Sequence, residues 1–192
     1  MAQDTVRNYK MIGIGGSAGS LNVILQIVAA IPASTKTSFV IVVHRKGDND
    51  STLLNLLASR TSLPVKEVED KDPISGRCIY IAPADYHLLL EDEKGFALDS
   101  SERVHYSRPS IDVTFESIAI TLKSAAVGIL LSGANADGAE GLRKIKQCGG
   151  FTIIQDPATA EVDYMPQQAI EIVKADLIAN AERIAQCVKE HG

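Results

Sequence analysis

Short, nearly uninterrupted apolar runs separated by longer stretches of helical spacing are what most restrict how this chain can fold. KMIGIG (10–15), SFVIVVH (38–44), CIYIAP (78–83), AAVGILLSG (125–133) and FTIIQ (151–155) are rich in Val, Ile and Leu. That composition fits parallel strands covered on both faces. DLIAN (176–180) reads as a last short strand. Helical patterns fall between them, over 20–30, 110–122, 137–147, 166–174 and 181–190. The 20–30 stretch is apolar apart from Asn22 and Gln26, which predicts a deeply packed helix. In the 110–122 stretch Ile111, Phe115, Ile118 and Leu122 share one stripe, with Ser110 as N-cap. Strand–helix alternation predicts a doubly wound α/β fold, its mainly parallel sheet flanked by helices. HLLLEDEKGFALD (87–99) has two strand-like runs around Glu-Lys-Gly, so a small antiparallel hairpin is expected within 78–98. With 192 residues and no linker or repeat, the chain is expected to form a single domain.

Composition narrows the function. A net charge of −5 argues against a nucleic-acid partner, which calls for a basic face. The nearest basic cluster, Arg143, Lys144 and Lys146, has the spacing of a solvated helix side. No apolar run approaches the ~20 residues of a membrane span, so no membrane insertion is expected. The N-terminal MAQDTVRNYK has no signal-peptide core, and a cytoplasmic location follows as the expectation. Cys78, Cys148 and Cys187 show no metal or redox spacing and read as thiols in a reducing compartment. No His/Asp/Glu set has metal-ligand spacing, so no metal is expected.

In an open α/β sheet, sites gather beyond the carboxyl ends of the strands. Three reactive side chains fall there: Ser17 after the first strand, His44 closing the second, and Asp137 in the SGANADG loop after AAVGILLSG. A serine hydroxyl needs a base to take its proton as it attacks, histidine can serve near neutral pH, and a buried carboxylate fixes the imidazole. Gly15-Gly16-Ser17-Ala18-Gly19 also has the G-x-S-x-G spacing of a nucleophile elbow. Each residue has a plainer use as well: Ser17 as a helix N-cap, His44 as a satisfied structural histidine, Asp137 as a turn residue. His87 and His105 are weaker candidates, the latter if its VHYSRPS loop folds over the site; His191 is near the terminus. The Gly13-x-Gly15 turn also admits a dinucleotide reading, but Ala18 breaks the G-x-G-x-x-G pattern. Arg45, where an acidic ribose ligand would stand, leaves only an NADP site open.

IGIGGSAGS, VIVVH, IYIAPADYHLLL, RPSIDVTFESIA, GILLSGANADGAEGL and DYMPQQAI, in that order, resemble the catalytic domain of the CheB-type chemotaxis protein-glutamate methylesterases across about residues 11 to 180. The resemblance implies an α/β sheet without metal or organic cofactor. It implies hydrolysis of glutamate γ-methyl esters, with deamidation of glutamines, on the cytoplasmic domain of methyl-accepting chemoreceptors. By position, Ser17 would be the nucleophile, His44 the general base and Asp137 its orienting partner. The chain departs from the family at Arg45-Lys46, where a Met-Pro pair is usual, at Ala134, where a methionine is usual, and at Ser20, where a second glycine is common. These changes spare the three residues and alter their surroundings. They bear on the substrate more than on the chemistry, and they leave open a binding or regulatory module on the same fold. Typical members also carry an N-terminal receiver domain; only about ten residues precede the first strand here, so none is expected in this chain.

Overall fold

The computed structural model describes residues 9–45 and 51–192. Nine strands follow in chain order: Met11–Gly16 (β1), Ser38–Val43 (β2), Val65–Glu67 (β3), Ile79–Ile81 (β4), His87–Leu90 (β5), Phe96–Asp99 (β6), Ala126–Leu130 (β7), Phe151–Gln155 (β8) and Leu177–Ala179 (β9). Seven form one sheet in the order β3-β4-β2-β1-β7-β8-β9, all parallel. β5 and β6 pair as the separate antiparallel hairpin, confined to 87–99, while Ile79–Ile81 belongs to the large sheet. The helices are Leu21–Ala30 (α1), Thr52–Ala58 (α2), Ile111–Leu122 (α3), Ala139–Gln147 (α4), Tyr164–Ile172 (α5) and Ala181–His191 (α6).

The sheet separates two cores, and side-chain alternation along the central strands decides which residue enters which. Val40, Val42 and Leu130 face α3, α4 and the hairpin, packing with Phe115, Ile118, Leu142 and Ile145. Ile12, Ile14, Phe39, Ile41 and Ile129 face the other way, onto Ile24, Ile27 and Val28 of α1 and Ile184 and Val188 of α6. Every residue of β1 and β7 is buried, as strands covered on both faces require. On the α3 face β1 offers Gly13 and Gly15. A Cβ at Gly13 would stand 2.9 Å from the Phe115 ring, and one at Gly15 would overlap Ile111. These glycines clear room for α3 to lie against the sheet.

Three elements depart from the sequence expectation. α1 is not deeply packed: Val23, Ile24, Ile27 and Val28 are buried, but Leu21 is 41% exposed. The helix covers the sheet with one face only, because no layer lies outside it. α2 and β3 were not anticipated; β3 is an edge strand of three partly exposed residues, two of them charged. Arg143 and Lys146 do lie on the solvated side of α4, paired with Glu140 and Asp176. Among the described residues no helix is long and apolar enough to cross a membrane.

Chain order positions the site. β1 is central; the chain moves from it to β2 on one side and later returns to β7 on the other. That reversal opens a crevice beyond the carboxyl ends of β1, β2 and β7. Ser17, His44 and Asp137 follow those three strands.

Candidate active site

β1 and β2 run in register to Gly16 opposite Val43, and the His44 amide still donates to the Gly16 carbonyl at 3.4 Å. Ser17 and His44 are therefore the next residues on neighbouring strands, whose spacing is about 4.8 Å. The turn after β1 holds Ser17 by its backbone. Its amide donates to the Ser132 carbonyl at 2.9 Å, and its carbonyl accepts from the Ser20 amide at 3.1 Å and the Ser20 hydroxyl at 2.7 Å. Gly19, at φ +77°, closes the turn in a conformation that favours glycine. Ser20, not Ser17, occupies the N-cap of α1, so the plainer use of Ser17 is not realised. The Ser17 side chain is half-buried, and its Oγ makes no hydrogen bond among the described residues.

His44 and Asp137 meet directly. The His44 Nε2–H donates to Asp137 Oδ2 at 2.7 Å, with the carboxylate fully buried and the imidazole 13% exposed. Asp137 is held from the other side by the start of α3. Oδ2 also accepts the Ile111 amide at 2.7 Å, and Oδ1 accepts the Ser110 hydroxyl at 2.7 Å and the Asp112 amide at 3.1 Å. A carboxylate at a helix N-terminus meets unpaired N–H groups and the positive end of the dipole. Burial alone would raise the carboxyl above its ordinary value. The bonds from His44, Ser110, Ile111 and Asp112 outweigh it and hold Asp137 below that value, as the anion. With Nε2–H committed to Asp137, Nδ1 is the basic nitrogen. It lies 3.4 Å from Ser107 Oγ, and no described group bonds it to Ser17 Oγ; such contacts commonly tighten only when substrate binds.

The other histidines are placed by the same network. His87 is fully buried; its Nε2–H donates to the Glu102 carbonyl at 2.9 Å and its Nδ1 accepts the Ser110 amide at 3.1 Å. It is a satisfied structural histidine supporting the residue that supports Asp137. The VHYSRPS loop does fold over the site, bringing Ser107 Oγ to 3.4 Å from His44 Nδ1, while the His105 ring stands 3.4 Å from Asp112 Oδ2. Lys46 lies outside the described residues. The roles of Ser110 as a donor to Asp137, and of Asp112, Ser107 and Asn135 as close neighbours, escape a reading by strand ends, because all four sit in loops or at a helix start. Asn135 bridges the loops, receiving the Asp137 amide on Oδ1 at 3.1 Å and donating to Ser107 Oγ at 3.2 Å.

A serine, an imidazole and a helix-anchored carboxylate thus stand at the carboxyl edge of a parallel sheet, the same kinds of side chain that serine-type hydrolases use. The comparisons with known proteins agree with that class. Residues 12–188 match the CheB methylesterase family. A putative protein-glutamate methylesterase/protein-glutamine glutaminase of Leptospira interrogans is 41% identical over 179 residues, covering 93% of each chain. A protein-glutamate methylesterase/protein-glutamine glutaminase of Symbiobacterium thermophilum is 32% identical over 93% of this chain, which spans 49% of that protein. The crystal structure of the Thermotoga maritima CheB methylesterase catalytic domain superposes with a TM-score of 0.89 at 32% identity, covering 95% of this chain and 98% of that one. The chain belongs to the CheB methylesterase family.

Proposed function

We propose that this protein is a carboxylic ester hydrolase that demethylates glutamate γ-methyl esters on the cytoplasmic domain of methyl-accepting chemoreceptors, itself acting in the cytoplasm. The observation that carries the reading is the His44–Asp137 pair, anchored on α3, with His44 following the strand next to the one that leads into Ser17, whose hydroxyl has no partner among the described residues. Ser17 Oγ attacks the ester carbonyl while His44 Nδ1 takes its proton. The imidazolium is steadied by Asp137 through Nε2–H, then returns the proton to the departing methoxide, which leaves as methanol. The Ala18 and Gly19 amides, which have no partner among the described residues, are available to the developing oxyanion. Water, activated by the same nitrogen, releases the glutamate carboxylate and regenerates Ser17. A glutamine amide in place of the ester would leave as ammonia by the same steps, which is the deamidation named in the relatives.

The test is methanol release from methylated chemoreceptor membranes by the wild type and by Ser17→Ala. The substitution should lower the rate by several orders of magnitude with the melting temperature unchanged, the usual result of removing a nucleophile. Equal release by both proteins would remove Ser17 from the reaction. Absence of release from either, together with no labelling of Ser17 by a fluorophosphonate, would favour the reading of a binding module on the same fold, which the Arg45 and Ala134 departures motivate.

A further inference from the structure

The cleft beside His44 is cationic in a chain whose net charge is −5. An open cavity of about 230 Å³ is lined by His44, Arg45, Arg103, Tyr106, Ser107 and Arg108. Three of these six are arginines, and none takes part in the proton transfers above. The loop bearing Arg103 and Arg108 makes a tight turn, closed by paired backbone bonds between Val104 and Ser107, with His105 and Tyr106 at φ +47° and +62°. Two of the cavity's arginines thus flank one turn, and the third, Arg45, follows His44 at the end of β2.

Two of the three arginines face an acid, and one does not. Arg45 pairs with Glu67, and Arg103 stands 3.7 Å from Asp85. Arg108 makes no ion pair among the described residues; Asp99 feels its charge only from beyond ion-pair distance. The Arg108 Nη1 is pinned by the carbonyls of Ser100 and Ser101, both at 2.7 Å, which orient the guanidinium without neutralising it. The Nε atoms of Arg45 and Arg108 are both buried and have no acceptor. Those two nitrogens are closed to water, so an occupant of the open cleft would meet the terminal Nη groups of the arginines instead. A guanidinium presents a planar fork of donors that matches a carboxylate. The cavity is below the ~300–1,000 Å³ of drug-sized ligand sites, which is the scale of a single side chain.

We propose that Arg45, Arg103 and Arg108 form a carboxylate subsite beside His44 that holds an acidic side chain of the protein substrate, next to the residue being hydrolysed. The identity of the occupant rests on the methylesterase reading; the subsite itself rests on the three arginines that line the cleft beside His44 and on Arg108, which makes no ion pair among the described residues. It gives the enzyme a preference for reactive glutamates set among other acids. It also gives Arg45, a departure from the family pattern, a use at the substrate side of the catalytic histidine.

The experiment uses binding, so that it is independent of turnover. Two fluorescent peptides share a central glutamate γ-methyl ester; one carries glutamates at the adjacent position and one helical turn away, the other glutamines. Anisotropy titrations with the Ser17→Ala protein should show the acidic peptide bound at least tenfold more tightly. The preference should shrink in 0.5 M salt and collapse in Arg103→Gln or Arg108→Gln. Arg103→Gln is the control for folding, because Arg108 also fastens Ser100 and Ser101. Equal affinity for the two peptides, no binding of either, or a preference that survives both substitutions overturns the subsite. An acidic preference in a protein that, with Ser17 intact, cleaves neither peptide would sink the esterase reading and leave the subsite standing.

Discussion

Asp112 carries a charge where the fold resists one, and replacing it should stabilise the protein in a pH-dependent way. Its carboxyl is pushed up to about 6, first by burial and then by the neighbouring Asp137 anion; the Gly141 amide, the His105 ring and the Gly138 amide oppose the shift without cancelling it. An unfolded aspartate titrates near 3.9. The folded state therefore holds the Asp112 proton more tightly. The stability this confers is complete below pH ~4 and is lost as pH rises through about 6. The difference of roughly two units corresponds to about 3 kcal/mol once the group is ionised in both states. An asparagine side chain at this position would stay neutral and keep an oxygen to accept the Gly141 amide, which Asp112 Oδ1 now takes at 2.7 Å. Asp112→Asn should thus gain about 3 kcal/mol over the wild type at pH 8 and little at pH 4, apart from a constant offset. Urea unfolding of both proteins across that range, read by circular dichroism, measures the difference directly. A gap that does not change with pH, or one that widens toward acid, would refute the argument.

Two further outcomes follow from the packing. Nitrogen-15 NMR of His44 should find the resting proton on Nε2, held by Asp137; a resting proton on Nδ1 would contradict the assignment of the base. Gly15→Ala should destabilise the fold by about 1–3 kcal/mol, the usual cost of overpacking, because its Cβ would overlap Ile111; an unchanged urea midpoint would mean that α3 can slide away from β1.

The central strands were legible in the sequence because burial on both faces leaves no room for polar residues, and their ends then located Ser17, His44 and Asp137. β3 was not legible: its residues, Val-Lys-Glu, sit at an edge where neither face demands apolarity. α1 misled in the opposite direction, since apolar residues such as Leu21 are tolerated in solvent and do not report burial on their own. Ser110 was legible as a cap of α3 but not as a donor to Asp137, because that bond spans 27 residues and exists only once α3 is laid across β1. The glycine cluster drew two functional readings. Gly13 and Gly15 answer instead to helix packing, leaving Gly19 to the turn that presents Ser17.

The two ends of the proposed proton relay are bound to the scaffold very differently. Asp137 is tied to His44, Ser110, Ile111 and Asp112, so its loss would unseat the start of α3 as well as disarm the base. The hydroxyl of Ser17 bonds to nothing in the described fold, and its removal costs the architecture little. Descendants of such a protein that drift away from catalysis are therefore expected to decay from one side. The serine would go first, while the aspartate persisted as a relic of an activity no longer present, kept by the helix it holds in place.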